Sequence, residues 1–293
     1  MCLLFHPCHM AQCTTKLDMP PLGCNSRYAN LKAAKWNELP ESLRQEFTSC
    51  GSIPVEHMYV IGDNDTHYKY EVEDIEEYID HSRKLLHSQP YRLATLSRSE
   101  QWLVTCLKKL QLNNAHCAII GSSSPFYESM LIALGVAKVT VFEYNNLTYN
   151  HEKIYVNKSF DQYKTDKRLP KFDFIFAISS LDHDGLGRYG DAICPSADLL
   201  SMQRFKSMLS STGKLILTVP LGLDLLVWNV MRIYGKLRLK RMLNGWKIVD
   251  QIGYEEEKLT MKRGPGATWR KTYEPVFVLE VDKSKSRLAS DEL

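Results

Sequence analysis

The chain has 293 residues, of which 44% are hydrophobic and 24% are charged, a composition typical of one large globular domain or a domain with an extension. Its formal net charge of +3 is too small to indicate nucleic acid as a partner. The longest apolar stretch, residues 215–231, is interrupted by Pro220, Gly222 and Asp224, so no membrane-spanning helix is expected.

Residues 1–95 are predicted to form an N-terminal extension that is partly disordered and contains short helices, one of them near Glu41–Phe47. Four cysteines lie close to its start: Cys2, Cys8, Cys13 and Cys24. None of their spacings is the short CxxC of structural zinc sites, so no metal is expected. Further along, Val72, Ile75 and Ile79 recur at helical spacing and predict an amphipathic helix with a solvated acidic face. An interaction surface on that acidic face is the alternative.

From Ser97 onward, helical and strand patterns alternate. Helices are predicted over residues 99–110 (capped by Ser99), over 128–134 and from a cap at Ser196 to about residue 212, and strands over residues 116–121, 138–143, 172–179 and 214–220. Near-continuous apolar strands between helices imply a parallel sheet that is covered on both faces. We therefore predict an α/β fold with a doubly wound, mostly parallel sheet over residues 96–282, followed by a flexible tail over 283–293.

The turn after the first of these strands predicts a nucleoside site. Gly121, Ser122 and Ser123 are small and precede a helix, so a ligand can approach backbone N–H groups there. The dinucleotide fingerprint GxGxxG is absent, which disfavours a cofactor held by its pyrophosphate. Glu143 ends the next strand 22 positions after Gly121, near the offset at which an acid reaches a ribose. A solvent-exposed strand-end glutamate is the alternative.

The following segment carries a resemblance to a known fold. A buried strand opens with Asp173 and ends in small and polar residues; an amphipathic helix, Gly213 and an apolar strand ending in Pro220 come next. This order resembles the fourth and fifth strands of class I S-adenosylmethionine-dependent methyltransferases, over residues 98–282. The resemblance implies a Rossmann-like domain of the methyltransferase type with S-adenosylmethionine as cofactor. The cofactor-binding residues would be Gly121, Ser122, Ser123, Glu143 and Ser180.

A narrower resemblance rests on SSLDHDGLGRYGD (residues 179–191), VPLGLDLLVWNVMRIYGKLRL (219–239) and EPVFVLEV (274–281). These segments resemble a nematode-rich family known as a domain of unknown function, whose members are methyltransferase-like. The family pattern has a glutamate where this chain has Asp182, which shortens the acid by one methylene. It has a histidine where this chain has Met231, so no role as a base is carried over to that position.

The GLGRYGD loop and the residues before it concentrate ionisable groups at the catalytic edge of the predicted sheet. The predicted catalytic residues are Asp182, His183, Asp184, Arg188 and Tyr189. By its ordinary pKa, His183 is the best general base, oriented by Asp182 or Asp184. The alternative is a salt-bridged loop in which Arg188 pairs with an aspartate.

A second segment is predicted to bind substrate through Trp228, Asn229, Arg232 and Tyr234. Trp228 and Tyr234 offer flat faces for stacking, and the Arg232 guanidinium offers a fork for a carboxylate or phosphate. The alternative is a helix that packs Trp228 in the core and leaves Arg232 outside.

Together these patterns predict an S-adenosylmethionine-dependent methyltransferase acting on an oxygen or nitrogen of an unidentified small-molecule or sugar-like acceptor. The degenerate GSSSP loop favours an alternative, a non-catalytic methyltransferase-like protein that serves as a binding or interaction module. A dehydrogenase is disfavoured by the missing GxGxxG. The patterns do not specify an oligomeric state.

The two ends of the chain favour different compartments. The last four residues, SDEL, are similar to a KDEL-type signal for retention in the endoplasmic reticulum. The first residues have no basic region before a short apolar run and make a poor signal peptide. We expect the cytoplasm, with the endoplasmic reticulum as the alternative.

Overall fold

A computed structural model describes residues 34–62, 67–87, 96–157, 168–261 and 273–286. The cysteines at positions 2, 8, 13 and 24 and the SDEL end lie outside these ranges. Within them, every helix is too short or too polar to cross a lipid bilayer.

The helices of the described residues are α1 (Glu41–Phe47), α2 (Val72–Leu86), α3 (Arg98–Leu107), α4 (Phe126–Ala133), α5 (Ala197–Met208), α6 (Lys236–Met242) and α7 (Lys283–Ser286). The strands are β1 (Val55–His57), β2 (His67–Tyr70), β3 (His116–Ile120), β4 (Lys138–Phe142), β5 (Asn146–Tyr149), β6 (Ile154–Asn157), β7 (Phe172–Ile178), β8 (Leu209–Thr218), β9 (Leu225–Trp228), β10 (Met231–Ile233), β11 (Trp246–Ile252) and β12 (Val276–Val281).

The central sheet has the strand order β11-β12-β8-β7-β3-β4-β6. The five strands from β8 to β6 are parallel, and β12 is antiparallel to both of its neighbours. The order reverses at β3, because β4 pairs with one of its edges and β7 with the other. This topology confirms the predicted α/β fold with a mostly parallel, Rossmann-like sheet. Ligands of such sheets bind beyond the carboxyl ends of the strands at this point of reversal.

Helices cover both faces of the sheet, as the apolar strands predict. Successive side chains of a strand point to opposite faces. Phe174 and Phe176 of β7 accordingly pack with residues of α2, α3 and α4, whereas Ile175 and Ala177 pack with residues of α5 and α6. The core therefore consists of two apolar layers that hold the strand ends rigidly in place.

The described part of the first 95 residues packs against the core and pairs with strands of the later sequence. Ile75 and Ile79 of α2 are buried in the same core layer as β3, which confirms the amphipathic pattern, although Val72 is 46% exposed. Strand β1 pairs in parallel with β9, and β10 completes a second, smaller sheet. Residue 95 is therefore not a boundary of packing.

Several element boundaries differ from the predicted ones. Helix α3 is capped by Ser97 instead of Ser99: the Ser97 Oγ accepts a hydrogen bond from the Glu100 N–H at 3.2 Å, and the Glu100 carboxylate accepts one from the Ser97 N–H at 2.7 Å. Strand β8 begins at Leu209, which pairs with Phe172, so Gly213 lies inside the strand. Residues 225–233 form the β9–β10 hairpin, not a helix.

Candidate functional site

A cavity of about 220 Å³ lies at the point of reversal of the sheet. Its walls come from the loops that follow β3, β4 and β7. The lining residues are 120–123, 142–145, 179, 180, 183, 184, 189 and 191. Eight of the predicted site residues are among them: Gly121, Ser122, Ser123, Glu143, Ser180, His183, Asp184 and Tyr189.

Gly121 allows the loops after β3 and β7 to approach each other. Its φ of +70° lies in the left-handed region, where a side chain costs about 1–2 kcal/mol. A Cβ at this position would also lie only 3.0 Å from the Cβ of Ser180. The glycine therefore keeps open a space beside the cavity wall.

Glu143 presents a fixed carboxylate to the cavity. One oxygen accepts a hydrogen bond from the Ser122 N–H at 3.0 Å, and the other accepts one from the Asn145 N–H at 2.8 Å. Each carboxylate oxygen can accept a second hydrogen bond. The group is thus oriented in advance and keeps acceptor capacity for a ligand with two adjacent hydroxyls.

Two tyrosines that had not been predicted hold the serine loop. The Tyr70 hydroxyl donates to the Ser123 carbonyl oxygen at 3.1 Å, and the Tyr149 hydroxyl lies 3.3 Å from the Ser122 Oγ. The Ser122 Oγ itself donates to the Ser124 carbonyl oxygen at 3.0 Å. Both tyrosines belong to the β2–β5 pair, which forms between segments far apart in sequence, so no local pattern indicated them.

The end of β7 is held in an unusual conformation. Ser179 has a φ of +46°, and its N–H donates to the Thr218 carbonyl oxygen and to the Thr218 Oγ1, both at 3.0 Å. Positive φ in a non-glycine residue is uncommon and concentrates at functional sites. The next residue, Ser180, has a buried Oγ with no hydrogen-bond partner among the described residues. A buried hydroxyl without a partner is uncommon, and this one belongs to a residue that lines the cavity.

His183 lines the cavity, but both of its ring nitrogens face internal groups. The Nδ1 lies 2.6 Å from the Val230 carbonyl oxygen; because a carbonyl only accepts, the Nδ1 carries the hydrogen and donates it. The Nε2 lies 3.4 Å from an oxygen of Asp182. The Nδ1 is therefore not available as a base, and the Nε2 lies beside a buried carboxyl group, which does not favour the predicted role of His183 as the base.

Asp182 is fully buried and does not line the cavity. Neither of its carboxyl oxygens has a hydrogen-bond partner among the described residues. Burial raises the pKa of Asp182, and the nearby charge of His183 opposes that rise. Asp182 therefore shares a buried environment with the imidazole and acts, at most, on the orientation of His183.

Asp184 is one of the two aspartates of this loop that line the cavity. The Ser201 Oγ donates to one of its oxygens at 2.8 Å. Burial raises the pKa of Asp184 to about 7, and the hydrogen bond from Ser201 opposes the rise.

Asp191 stabilises the conformation of the loop. Its carboxylate accepts hydrogen bonds from the N–H groups of Gly187 and Tyr189, both at 3.2 Å.

Residues 114–266, just over half of the chain, match the family model described as "Caenorhabditis protein of unknown function, DUF268". The chain belongs to the DUF268 family. A search of curated proteins gives no match.

Several solved structures are similar at low identity. The ribosomal protein L11 methylase of Lactobacillus delbrueckii subsp. bulgaricus is 14% identical, with a TM-score of 0.38 over 63% of this chain and 78% of that one. The 1,6-didemethyltoxoflavin-N1-methyltransferase of Burkholderia thailandensis, solved with S-adenosylhomocysteine, is 15% identical, with a TM-score of 0.44 over 70% and 89%. A candidate Zn-dependent alcohol dehydrogenase of Rhodobacter sphaeroides is 10% identical, with a TM-score of 0.41 over 70% and 98%. Similarity of this degree carries no information on activity.

The four predicted substrate-binding residues of this DUF268 member lie in the interior. Trp228, Asn229, Arg232 and Tyr234 are each 2% exposed or less, and none lines the cavity. This placement corrects the prediction, because a side chain without exposed surface cannot stack on a substrate. The alternative was right about Trp228 and wrong about Arg232, which is not outside.

Two of these interior residues stabilise the loop after β7 and its surroundings through hydrogen bonds. The Arg232 guanidinium donates to the Asp184 carbonyl oxygen at 2.5 Å and more distantly to the carbonyl oxygens of Asp182, Cys194 and Pro195, each at 3.4 Å. The Tyr234 hydroxyl donates to an oxygen of Asp198, which also forms a buried ion pair of 2.5 Å with Arg238. The fork of Arg232 therefore binds backbone carbonyls of the site loop.

Arg188 and its neighbour form a separate contact. The Arg188 guanidinium carbon lies 5.0 Å from the centre of the Tyr189 ring, a cation–π arrangement. Among the described ion pairs, none joins Arg188 to Asp182, Asp184 or Asp191, so the alternative of a salt-bridged loop is not what the fold shows. Arg188 does not line the cavity, whereas Tyr189 does.

Some lining residues had not been predicted. Tyr144, Asn145 and Ser179 follow directly after the ends of β4 and β7. Their positions were a usable signal, because the first residues after each parallel strand meet at the same edge of the sheet. Asp191 belongs to the loop motif over residues 179–191 but is not among the predicted catalytic residues.

Proposed function

We propose that this DUF268 member is an S-adenosylmethionine-dependent methyltransferase of small molecules. The observation that carries the proposal is Glu143, whose carboxylate is held by two backbone N–H groups at the reversal of the sheet. Two adjacent ribose hydroxyls are a fitting ligand, since charge-assisted hydrogen bonds to a carboxylate are about twice as strong as neutral ones.

The rest of the cavity fits the same nucleoside. The serine loop has none of the additional glycines that cradle a pyrophosphate, and S-adenosylmethionine has no phosphate. Gly121 leaves space beside Ser180, and the Ser180 Oγ has hydrogen-bonding capacity to offer. When bound, S-adenosylmethionine supplies a methyl group activated by a sulfonium.

We assign the acceptance of the substrate proton to Asp184, in place of His183. Asp184 reaches the cavity, and its pKa of about 7 suits a general base near neutral pH. We describe His183 as a positioning residue, because its Nδ1 donates to the Val230 carbonyl oxygen and its Nε2 lies 3.4 Å from the buried Asp182 carboxyl group. Ser201 orients the Asp184 carboxyl through its hydrogen bond.

The deciding experiment is isothermal titration of S-adenosylmethionine and S-adenosylhomocysteine into the full chain. A fragment starting near residue 90 is unsuitable, because it would remove Ile75 and Ile79 from the core. Glu143→Gln is the test variant, and Glu152→Gln, an exposed glutamate outside the cavity, is the matched control. A hydrogen bond to a charged group is worth about 1.5–3 kcal/mol, so a roughly 10- to 100-fold loss of affinity is expected in Glu143→Gln alone.

The outcomes separate the candidate functions. Binding that is lost in Glu143→Gln and kept in Glu152→Gln supports the cofactor and the cavity. A folded wild-type protein that binds neither compound contradicts the proposal and favours the non-catalytic binding module. Binding of NAD without S-adenosylmethionine would favour a dehydrogenase.

A further inference from the structure

We infer that the acceptor is an amine, bound as its ammonium ion in the part of the cavity formed by the loop after β7. This inference rests on the proposed function and adds the chemical class of the second substrate. It is carried by the charges that line this part of the cavity and by the geometry of His183.

The charge of the lining is negative. Asp184 and Asp191 both line this part of the cavity, and the described lining residues include no lysine or arginine. The Asp191 carboxylate is held by the N–H groups of Gly187 and Tyr189, so it cannot easily turn away. The cation of the same loop, Arg188, lies against the Tyr189 ring and not on the cavity wall. A carboxylate or phosphate acceptor would therefore meet like charge, whereas an ammonium ion would meet opposite charge.

The available proton acceptors distinguish an amine from a hydroxyl. The Nδ1 of His183 donates to Val230 and its Nε2 lies beside Asp182, so we take the carboxylates of the lining as its bases. An alkylammonium such as that of lysine has a pKa of about 10, whereas water, which stands in here for an aliphatic hydroxyl, has one of about 16. A carboxylate can accept a proton from the ammonium ion because the difference between their pKa values is modest. The corresponding pKa difference between a carboxylic acid and an aliphatic hydroxyl is several units larger.

The transfer then balances without a further reactant. The ammonium gives one N–H proton to the Asp184 carboxylate, which becomes a neutral acid, and the nitrogen regains its lone pair. That lone pair attacks the methyl carbon and forms the N–C bond, while the S–C bond breaks and its electron pair stays on sulfur. The products are an N-methylammonium ion and the neutral thioether S-adenosylhomocysteine, and Asp184 releases its proton to water.

The test uses three fragments of similar size that differ in one group: 2-aminoethanol, ethane-1,2-diol and glycolate. Each is titrated into the full chain saturated with S-adenosylhomocysteine and followed by ligand-observed NMR. We expect 2-aminoethanol to bind at least about tenfold more tightly than the diol, and glycolate not to bind. Asp184→Asn should weaken the preference for the amine several-fold, with Asp191 as the remaining carboxylate of this part of the cavity. Asp173→Asn, the same substitution at the opposite end of β7, should keep it.

Every other result overturns the inference. A preference for the diol or for glycolate, an absence of 2-aminoethanol binding, or an undiminished preference in Asp184→Asn contradicts an ammonium site at this loop. The wild-type ranking of the three fragments decides the matter even if the Asp184 variant fails to fold. Failure of S-adenosylhomocysteine itself to bind is a separate outcome, which contradicts the proposed function and is seen before any fragment is added.

Discussion

The indole nitrogen of Trp228 donates a hydrogen bond of 3.0 Å to the carbonyl oxygen of Ala34, a residue 194 positions earlier in the chain. Its ring also meets Trp36 and Phe47 edge to face, with centroids 5.2 Å and 5.0 Å apart. The side chain that had been predicted to stack on a substrate thus connects the N-terminal segment to the β9–β10 hairpin. The same hairpin supplies the Val230 carbonyl that fixes His183.

Replacing Trp228 should reduce stability without reducing cofactor affinity. Truncation of a large buried aromatic costs about 3–5 kcal/mol, so Trp228→Ala should lower the free energy of unfolding by that amount. Trp228→Phe keeps a ring but loses the hydrogen bond to Ala34, and should cost less. Denaturant unfolding and S-adenosylhomocysteine titration measure the two effects. A variant of normal stability that binds ligands poorly would restore the substrate-binding interpretation.

Gly121→Ala should weaken cofactor binding more than a general loss of stability explains. The alanine would have to adopt the left-handed backbone conformation of Gly121, and its methyl group would lie 3.0 Å from the Cβ of Ser180. Gly51→Ala is a matched control, since Gly51 has a φ of +81° and no atom within 4 Å of a built Cβ. Both variants should lose about 1–2 kcal/mol of stability from backbone strain. Only Gly121→Ala should also lose affinity for S-adenosylhomocysteine, and equal affinities in the two variants would contradict the role given to Gly121.

The sheet and its ligand edge could be predicted because they depend on local patterns combined with one topological rule. Apolar strands alternating with helices indicate a parallel sheet, and the residues after each strand then meet at one edge. Gly121, Glu143, Ser180 and Asp184 come together in the cavity for this reason, although they belong to three different loops.

What could not be predicted depends on contacts between distant segments. Strand β1 pairs with β9 through Val55 and Leu226, and neither of these distant segments indicates the other as its partner. A tryptophan or an arginine suits a binding surface and a buried network equally well, so composition alone could not place Trp228 or Arg232. The commitment of His183 likewise depends on a carbonyl 47 positions away, which no motif indicates.

Stability should fall as the pH rises toward neutrality, and Glu128 offers a clean test. Glu128 is fully buried in α4, and its oxygens have no hydrogen-bond partner among the described residues; the nearby Ser122 hydroxyl donates to Ser124 instead. Burial raises the pKa of Glu128 to about 7, whereas an unfolded glutamate titrates near about 4.3. Between these values the folded state holds a proton that the unfolded state has released, so stability declines with rising pH and levels off above about 7.

Glu128→Gln should therefore stabilise the protein at pH 8 and have little effect at pH 4. A gain of about 3–4 kcal/mol at pH 8 is expected, because the glutamine amide does not ionise and each unit of pKa difference between the folded and unfolded states corresponds to about 1.4 kcal/mol. Urea unfolding at a series of pH values measures it, with Glu152→Gln as the exposed control. Asp184 contributes a decline of the same sign, so the variant should flatten the pH dependence only in part. An unchanged pH profile would contradict a buried, protonated Glu128.

The oxidation state of the cysteines indicates the type of cellular compartment in which the chain folds. Cys50 and Cys194 are disulfide-bonded, whereas Cys106 and Cys117 are buried free thiols whose pKa values are raised by burial, that of Cys106 to about 12. Disulfides persist in oxidising compartments and are rare in the cytoplasm, so we propose an oxidising compartment in place of the cytoplasm expected from the amino terminus.

Alkylation of the protein purified from its native source, followed by peptide mapping, tests this. Without reductant, Cys106 and Cys117 should react only after denaturation, and Cys50 and Cys194 should not react at all. Reduction should then lower the free energy of unfolding by about 2–4 kcal/mol for each bond that opens. It should also weaken S-adenosylhomocysteine binding, because the Cys194 N–H donates to the Gly185 carbonyl oxygen of the site loop at 2.9 Å. Ready alkylation of Cys50 and Cys194 in unreduced, denatured protein would contradict this proposal and indicate a reducing compartment instead.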